Sequence, residues 1–254
     1  MRYRLDVAYH GRDFHGWQKQ PGLRTVQGEL EVWLSRFLGD REEVALTGAG
    51  RTDTGVHALA LPAHFDWPEP IDTVALHHRL RVALPHDLAI LSFHRVADDF
   101  HARYSAIARR YVYRVRRGAW PFNRDRDWQV HGELAIDRLH ACAAIIRGTQ
   151  DFSGFCRALS LKENNRCSVT HSEWRTEGDN LTYRIRADRF LHQMVRLIVG
   201  TSVAVARGQG TPERLREILT AGDVTLCGDA APPHGLTLEA VEYPDGVGEP
   251  LDFD

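Results

Sequence analysis

The chain has 254 residues, enough for one large domain or two modest ones, and its 43 % hydrophobic and 26 % charged residues exclude a disordered or fibrous chain. The formal net charge is only −2, so any polyanion would have to be met by local clusters of basic residues rather than by bulk charge. No apolar run approaches the ~18 residues that cross a bilayer, the opening Met1-Arg2-Tyr3-Arg4-Leu5-Asp6 is too charged for a secretory leader, and the cysteines (Cys142, Cys156, Cys167, Cys227) form no Cys-x-x-Cys pair. These features predict a soluble, cytoplasmic protein with no membrane association.

In chain order, Tyr3, Leu5, Val7 and Tyr9 alternate with polar residues, a half-buried strand over 3–9. Thr25 is a candidate N-cap for a helix carrying Val26, Leu30, Trp33, Leu34 and Phe37 at helical spacing and ending at Gly39. Strands are predicted over 43–47 and 59–65, a helix over 72–84 stopped by Pro85, and a strand over 88–96. The order β-α-β-β-α-β is that of a ferredoxin-like unit. The second half repeats it. A strand over 108–117 places Tyr111, Tyr113 and Val115 on one face and Arg110, Val112, Arg114 and Arg116 on the other. Asp137 is a candidate cap for a helix reaching Ile146. Strands over 169–176 and 181–187 flank the turn Glu177-Gly178-Asp179-Asn180, a long helix runs over 191–206, and Thr211-Pro212 opens a shorter one as N-cap and first residue. A strand over 236–243 closes the chain. The expectation is an α+β protein of two ferredoxin-like halves, 1–103 and 104–254, sharing an extended, mainly antiparallel sheet.

Of the 32 basic residues only Lys19 and Lys162 are lysines. Arginine's planar, permanently charged fork suits phosphate and stacks on bases, although codon bias in a GC-rich genome gives the same composition. Between Phe100 and Gly118 six arginines (103, 109, 110, 114, 116 and 117) and three tyrosines (104, 111 and 113) occur with no acidic residue. Such a mixture can hold a phosphate backbone and stack unpaired bases, or be an ordinary solvated strand face. Acidic residues gather instead in the tail, at Asp245, Glu249, Asp252 and Asp254.

The densest polar-glycine segment is Gly48-Ala49-Gly50-Arg51-Thr52-Asp53-Thr54-Gly55-Val56-His57-Ala58. It is neither a dinucleotide fingerprint nor a P-loop, since Asp53 stands at the third glycine position and no Gly-Lys-Ser/Thr follows. Two local readings stay open: a structural turn with Asp53 bonding nearby backbone, or a loop displaying an ionised carboxylate beside Arg51. Among fourteen histidines there is no His-Glu-x-x-His, and Cys156…Cys167-x-x-x-His171 lacks a clear fourth ligand, so no metal is expected. No Gly-x-Ser-x-Gly elbow points to acyl transfer.

The segment 50–58 resembles the active-site loop of the tRNA pseudouridine synthase A family, and the resemblance extends over nearly the whole chain. Tyr9, Gly11, Phe14 and Gly16-Trp17-Gln18 are similar to the family's opening loop, followed by Thr25-Val26-Gln27-Gly28-x-Leu30-Glu31. Asp98-Asp99-Phe100-His101-Ala102-Arg103-Tyr104-Ser105-Ala106 and Arg110-Tyr111-x-Tyr113 resemble its central motif. The run from Phe190 to Gly200 resembles its late helix, and Ala231-Pro232-x-x-Gly235-Leu236 its last strand entry. Two departures stand out: His10 replaces the family's usual Asp, and 155–167 is longer than in the commonest bacterial members.

The resemblance implies the pseudouridine synthase fold and isomerisation of uridine to pseudouridine in the anticodon stem-loop of tRNA, at positions 38, 39 and 40, by a homodimer using no cofactor or metal. It implies Asp53 as the catalytic carboxylate, Arg196 as the basic residue that pairs with it, and Tyr111 as the ring that packs on the target base and assists proton loss at C5. Arg51 is implied to hold the target nucleotide out of the helix. Phe100, His101, Ala102, Arg103 and Tyr104 are implied as the RNA-contacting segment, with Arg110 beside it. The competing reading is a non-catalytic RNA-binding module of tandem ferredoxin-like halves, which leaves the Asp53 loop without a role.

Overall fold

The computed structural model describes residues 1–39 and 43–251. Of the acidic tail, Asp252 and Asp254 therefore lie outside the described residues. The fold is α+β with a mainly antiparallel sheet. Residues cluster into two compact units, one of Met1–Ile107 with Leu238–Asp254 and one of Ala108–Thr237. The units are thus not the consecutive segments 1–103 and 104–254, because the chain returns to the first unit at Leu238.

In the first unit, β1 (Arg2–Tyr9) is the central strand. Its alternation is realised in full, with Tyr3, Leu5, Val7 and Tyr9 all buried. Next come α1 (Val26–Leu38), β2 (Thr47–Gly48), β3 (His57–Asp66), α2 (Thr73–Ala83) and β4 (Leu88–Val96). β1 pairs antiparallel with both β3 and β4, and β2 pairs with β3, giving the order β4-β1-β3-β2 of a ferredoxin-like unit. Thr25 caps α1 by accepting the Gly28 N–H at 3.3 Å, and Asp72 caps α2 by accepting the Ala75 N–H at 2.9 Å.

The strand expected over 43–47 is reduced to Thr47–Gly48. Side chains of α1 take the backbone donors that a ladder would have used. The Val44 N–H donates to Ser35 Oγ at 3.0 Å and the Leu46 N–H to Glu31 Oε1 at 2.9 Å.

The second unit begins with β5 (Ala108–Arg117), followed by β6 (Trp128–Val130), α3 (Ile136–Ile146), β7 (Gly148–Asp151), β8 (Arg166–Glu177), β9 (Asn180–Ala187), α4 (Met194–Ala206) and α5 (Glu213–Ala221). β9 lies antiparallel between β5 and β8, and β7 extends the edge beside β8. α4 is apolar nearly all round and is buried along almost its whole length. It starts at Met194 rather than 191, because Gln193 sits at φ 63°, a left-handed conformation that no helix continues through. α3 is preceded by Ala135 and carries Asp137 in its first turn rather than as its cap. α5 starts at Glu213, with Pro212 as the flanking residue in place of Thr211. The last strand, β10 (Leu236–Glu242), runs back towards the first unit, where its Glu242 carbonyl accepts the Ile107 N–H at 2.8 Å.

Candidate functional site

The segment carrying Asp53 connects β2 to β3 without helix or strand, so something else must hold it. The opening loop after β1 does so, through backbone. Trp17 N–H donates to the Thr52 carbonyl at 3.2 Å, and Gly55 N–H donates to the Phe14 carbonyl at 3.3 Å. The approach is so close that side chains are excluded. A Cβ on Gly11 would stand 2.0 Å from the Val56 carbonyl oxygen, and one on Gly16, at φ 83°, 2.7 Å from that of Thr52. Gly48 lies flat against the Trp17 indole, 2.6 Å from where its Cβ would be.

Buried polar contacts complete the clamp. Tyr9 Oη and Thr52 Oγ1 share a hydrogen bond of 2.7 Å. Gly11 N–H donates to His57 Nδ1 at 2.9 Å, so that imidazole nitrogen is unprotonated. Asp53 is half-buried, and its carbonyl accepts the Val56 N–H at 3.1 Å. It is the only acidic residue between Gly48 and Val56. Neighbouring Arg51 is exposed.

The segment 100–104 separates into two populations. Phe100 and Ala102 are buried, with Phe100 packed on Tyr243 and against Gly248, where a Cβ would stand 2.5 Å from the ring. Tyr243 Oη donates to the Ala102 carbonyl at 2.6 Å, and the Ala102 N–H donates to His64 Nδ1 at 3.2 Å. His101 folds over the turn, its Nδ1 accepting the N–H groups of Arg103 and Tyr104 at 3.1 and 3.2 Å. That leaves Arg103 and Tyr104 facing solvent, Tyr104 at 77 % exposure, with the guanidinium of Arg103 5.7 Å from the ring centre. Burial, and after it the positive charge of Arg2, brings the pKa of His64 down to about 4.

Within the first unit a cleft of about 210 Å³ opens beside the Asp53 loop. Arg51 and Arg103, far apart in sequence, both line it, together with Trp17, Gln18, Gln27 and Gly50. In the sequence Gln18 and Gln27 stand out only within the opening-loop resemblance, with no role attached, although Gln27 and Glu31 at i, i+4 spacing on α1 are a readable signal.

In the second unit Tyr111 is half-buried on β5, opposite Ile185 of β9. The Phe190 ring meets it edge-on at 5.0 Å and 86°. Tyr113, two residues along the same face, is fully buried and donates from its hydroxyl to the Pro232 carbonyl at 2.7 Å. Burial drives its phenol pKa far upward. Arg196, in the first turn of α4, donates from Nε to the Ala231 carbonyl at 2.7 Å, while its own carbonyl accepts the Ala231 N–H at 3.0 Å. Gly200, one turn later, permits this contact: a Cβ there would lie 1.9 Å from the Asp229 carbonyl oxygen.

The arginines of β5 divide as sharply. Arg116 bonds Asn180 at 2.7 Å and covers the Trp120 ring, and Arg117 bonds the Gly178 carbonyl at 2.7 Å. Arg109 reaches the Asp188 carbonyl at 2.8 Å. These side chains hold neighbouring backbone and turns and are partly buried, whereas Arg110 is more exposed than they are.

A family model described as "tRNA pseudouridine synthase" matches residues 142–244. A protein named "tRNA pseudouridine synthase A" from Bacteroides thetaiotaomicron is 41 % identical over 250 residues, spanning 97 % of this chain and 92 % of its own. Proteins of the same name from Hyphomonas neptunium and Cutibacterium acnes are 42 % and 39 % identical, each spanning 96 % of this chain and, respectively, 99 % and 89 % of their own.

Proposed function

Because the chain belongs to the tRNA pseudouridine synthase A family, it is an isomerase that converts uridine in tRNA to pseudouridine, and we propose that Asp53 is the nucleophile of that reaction. The chemistry breaks the bond from uracil N1 to C1′ and forms one from C5 to C1′. A proton leaves C5 and one is taken up at N1, so the product has the composition of the substrate. The reaction is redox-neutral and asks of the protein a carboxylate, a proton acceptor and donors that hold the extruded nucleotide.

The observation that carries the assignment is the backbone clamp. Three glycine contacts and two inter-loop hydrogen bonds fix a segment whose single acidic side chain stays half-exposed. A turn serving only to connect β2 and β3 needs no such restraint. Within this reading Tyr111 supplies the ring that stacks on the target base and the oxygen that receives the C5 proton. Arg196 supplies positive charge that favours the ionised carboxylate, and Arg51 holds the flipped nucleotide out of the helix. Arg103, Tyr104 and Arg110, all exposed to solvent, contact the RNA backbone and its unpaired bases. The uridines modified are those at positions 38, 39 and 40 of the anticodon stem-loop, and the working form is a cytoplasmic homodimer.

The direct test is Asp53→Asn, measured on an unmodified tRNA transcript. Pseudouridine formation is expected to vanish while tRNA affinity stays within a few-fold. Turnover comparable to wild type removes Asp53 from the chemistry. Mapping the product positions tests the anticodon stem-loop, and sedimentation of the free protein tests the dimer.

A further inference from the structure

The cleft beside the Asp53 loop is built by a chain of amides whose direction is fixed from inside the protein. Glu31, only 4 % exposed, accepts from Gln27 Nε2 at 2.9 Å and from the Leu46 N–H at 2.9 Å, and its other oxygen lies 3.1 Å from Lys19 Nζ. A carboxylate beside Lys19 can only accept, as can the Leu46 carbonyl that takes the second Gln27 N–H at 2.9 Å. The Gln27 amide is therefore held with nitrogen inward and oxygen outward. That oxygen receives the Lys19 N–H at 2.9 Å and Gln18 Nε2 at 2.7 Å, which leaves no hydrogen-bonding position of Gln27 unfilled. The same logic passes one residue further. Gln18 must turn its nitrogen towards Gln27, so its oxygen is on the opposite arm, and that oxygen has no partner among the described residues. Arg51, on the same cleft, makes no hydrogen bond or ion pair among the described residues.

An oriented acceptor and an uncommitted guanidinium fork share a space of about seven waters. We propose that this cleft takes one unpaired nucleotide of the tRNA other than the isomerised uridine, with Gln18 Oε1 accepting an N–H from its Watson–Crick edge, while Arg51 at the cleft's rim keeps its role at the flipped uridine. The nucleotide is unpaired because base pairing already consumes the edge N–H that Gln18 requires. Glu31 and Gln27 are positioning residues, acting through Gln18. This inference rests on the RNA-modifying reading of the Asp53 loop and adds to it a second point of recognition.

The test is a coupling measurement on anticodon stem-loop RNAs in which each unpaired base is removed in turn. For the wild-type protein, removal of one base other than the target uridine is expected to raise KM about 3- to 10-fold, the worth of one neutral hydrogen bond. Gln18→Leu is expected to raise KM by the same factor on intact RNA, with the effect falling on KM rather than kcat, and the same base removal then adds nothing further. Glu31→Gln, which keeps volume but releases the amide orientation, is expected to weaken coupling to that same base, and it carries the test if Gln18→Leu does not fold. Additive effects at every unpaired position overturn the proposal. Asp53→Asn that still turns over removes the underlying reading, whereas a dead Asp53→Asn together with additivity at Gln18 removes only this one.

Discussion

The Asp53 loop of the first unit and the Tyr111–Arg196 elements of the second are held in different ways. The loop has no ladder or helix of its own, and its position comes from another loop pressed against it through Gly11, Gly16 and Gly48. Tyr111 sits in a ten-residue strand paired along its length, and Arg196 on a helix buried almost throughout. A reactive group on regular structure inherits the stability of that structure. One on a loop depends on a few close contacts, any of which a single methyl group can destroy.

On the regular side, Tyr111→Phe keeps the ring against Phe190 and the strand pairing, so fold and tRNA affinity should survive. If the hydroxyl receives the C5 proton, single-turnover rates on tRNA tritiated at C5 should fall by about 10²- to 10⁴-fold. Wild-type rates in a stable variant would leave Tyr111 as a stacking residue alone.

On the loop side, Gly11→Ala introduces a Cβ 2.0 Å from a backbone oxygen that cannot rotate away. The expected loss is at the upper end of the ~1–3 kcal/mol typical of overpacking, read as a lower urea midpoint. Isomerisation should fall by more than that stability loss accounts for, because the segment displaced is the one bearing Asp53. A variant with normal activity and only reduced stability would mean that the clamp is structural and does not aim the carboxylate.

The same difference decides what the sequence could reveal. β1, α1, α2, β4 and β5 were legible because their alternation or helical spacing coincides with what they bury. The segment 43–46 was not, because Ser35 and Glu31 on α1 intercept its N–H groups, a contact that no local pattern encodes. At the site, the polar-glycine density of 48–58 marked the loop but left both a structural turn and carboxylate display open. The observation that supports the second reading, that Gly11 and Gly16 lie against Val56 and Thr52, links positions about forty residues apart. The arginine run of 103–117 was visible as composition. Which of its members face solvent depends on partners such as Asn180 and Gly178, contributed by a turn far along the chain.

Arg103 offers a gentler probe. If it neutralises one phosphate, Arg103→Ala should lower the slope of log affinity against log salt by roughly 0.7–0.9. Arg117→Ala, whose guanidinium is spent on the Gly178 carbonyl, should leave that slope unchanged. Equal slopes for Arg103→Ala and wild type would turn the exposed pair of Arg103 and Tyr104 away from RNA.

The smallest effect concerns how the first unit holds the segment that presents Arg103. His64 accepts the Ala102 N–H through Nδ1 and is nearly inaccessible, with Arg2 and His101 as further positive or protonatable neighbours and Asp66 as the opposing charge. Its folded pKa, about 4, lies below the unfolded value near 6.5. Between those values the unfolded chain binds a proton that the folded chain does not, so this group lowers stability as pH falls from about 6.5 towards 4 and has no influence above that range. His64→Gln keeps an acceptor for Ala102 and removes the titration. Urea midpoints of the two proteins should therefore run parallel above pH 6.5 and converge below it, the wild type losing more. Asp66 and Asp87, held below the ordinary carboxylate range chiefly by hydrogen bonds from Arg2 and Arg24, titrate below this window and do not account for a difference within it. Curves parallel down to pH 4 would mean that His64 accepts its proton in the folded protein, and the 100–104 segment would then have to be held by Tyr243 and Phe100 without it.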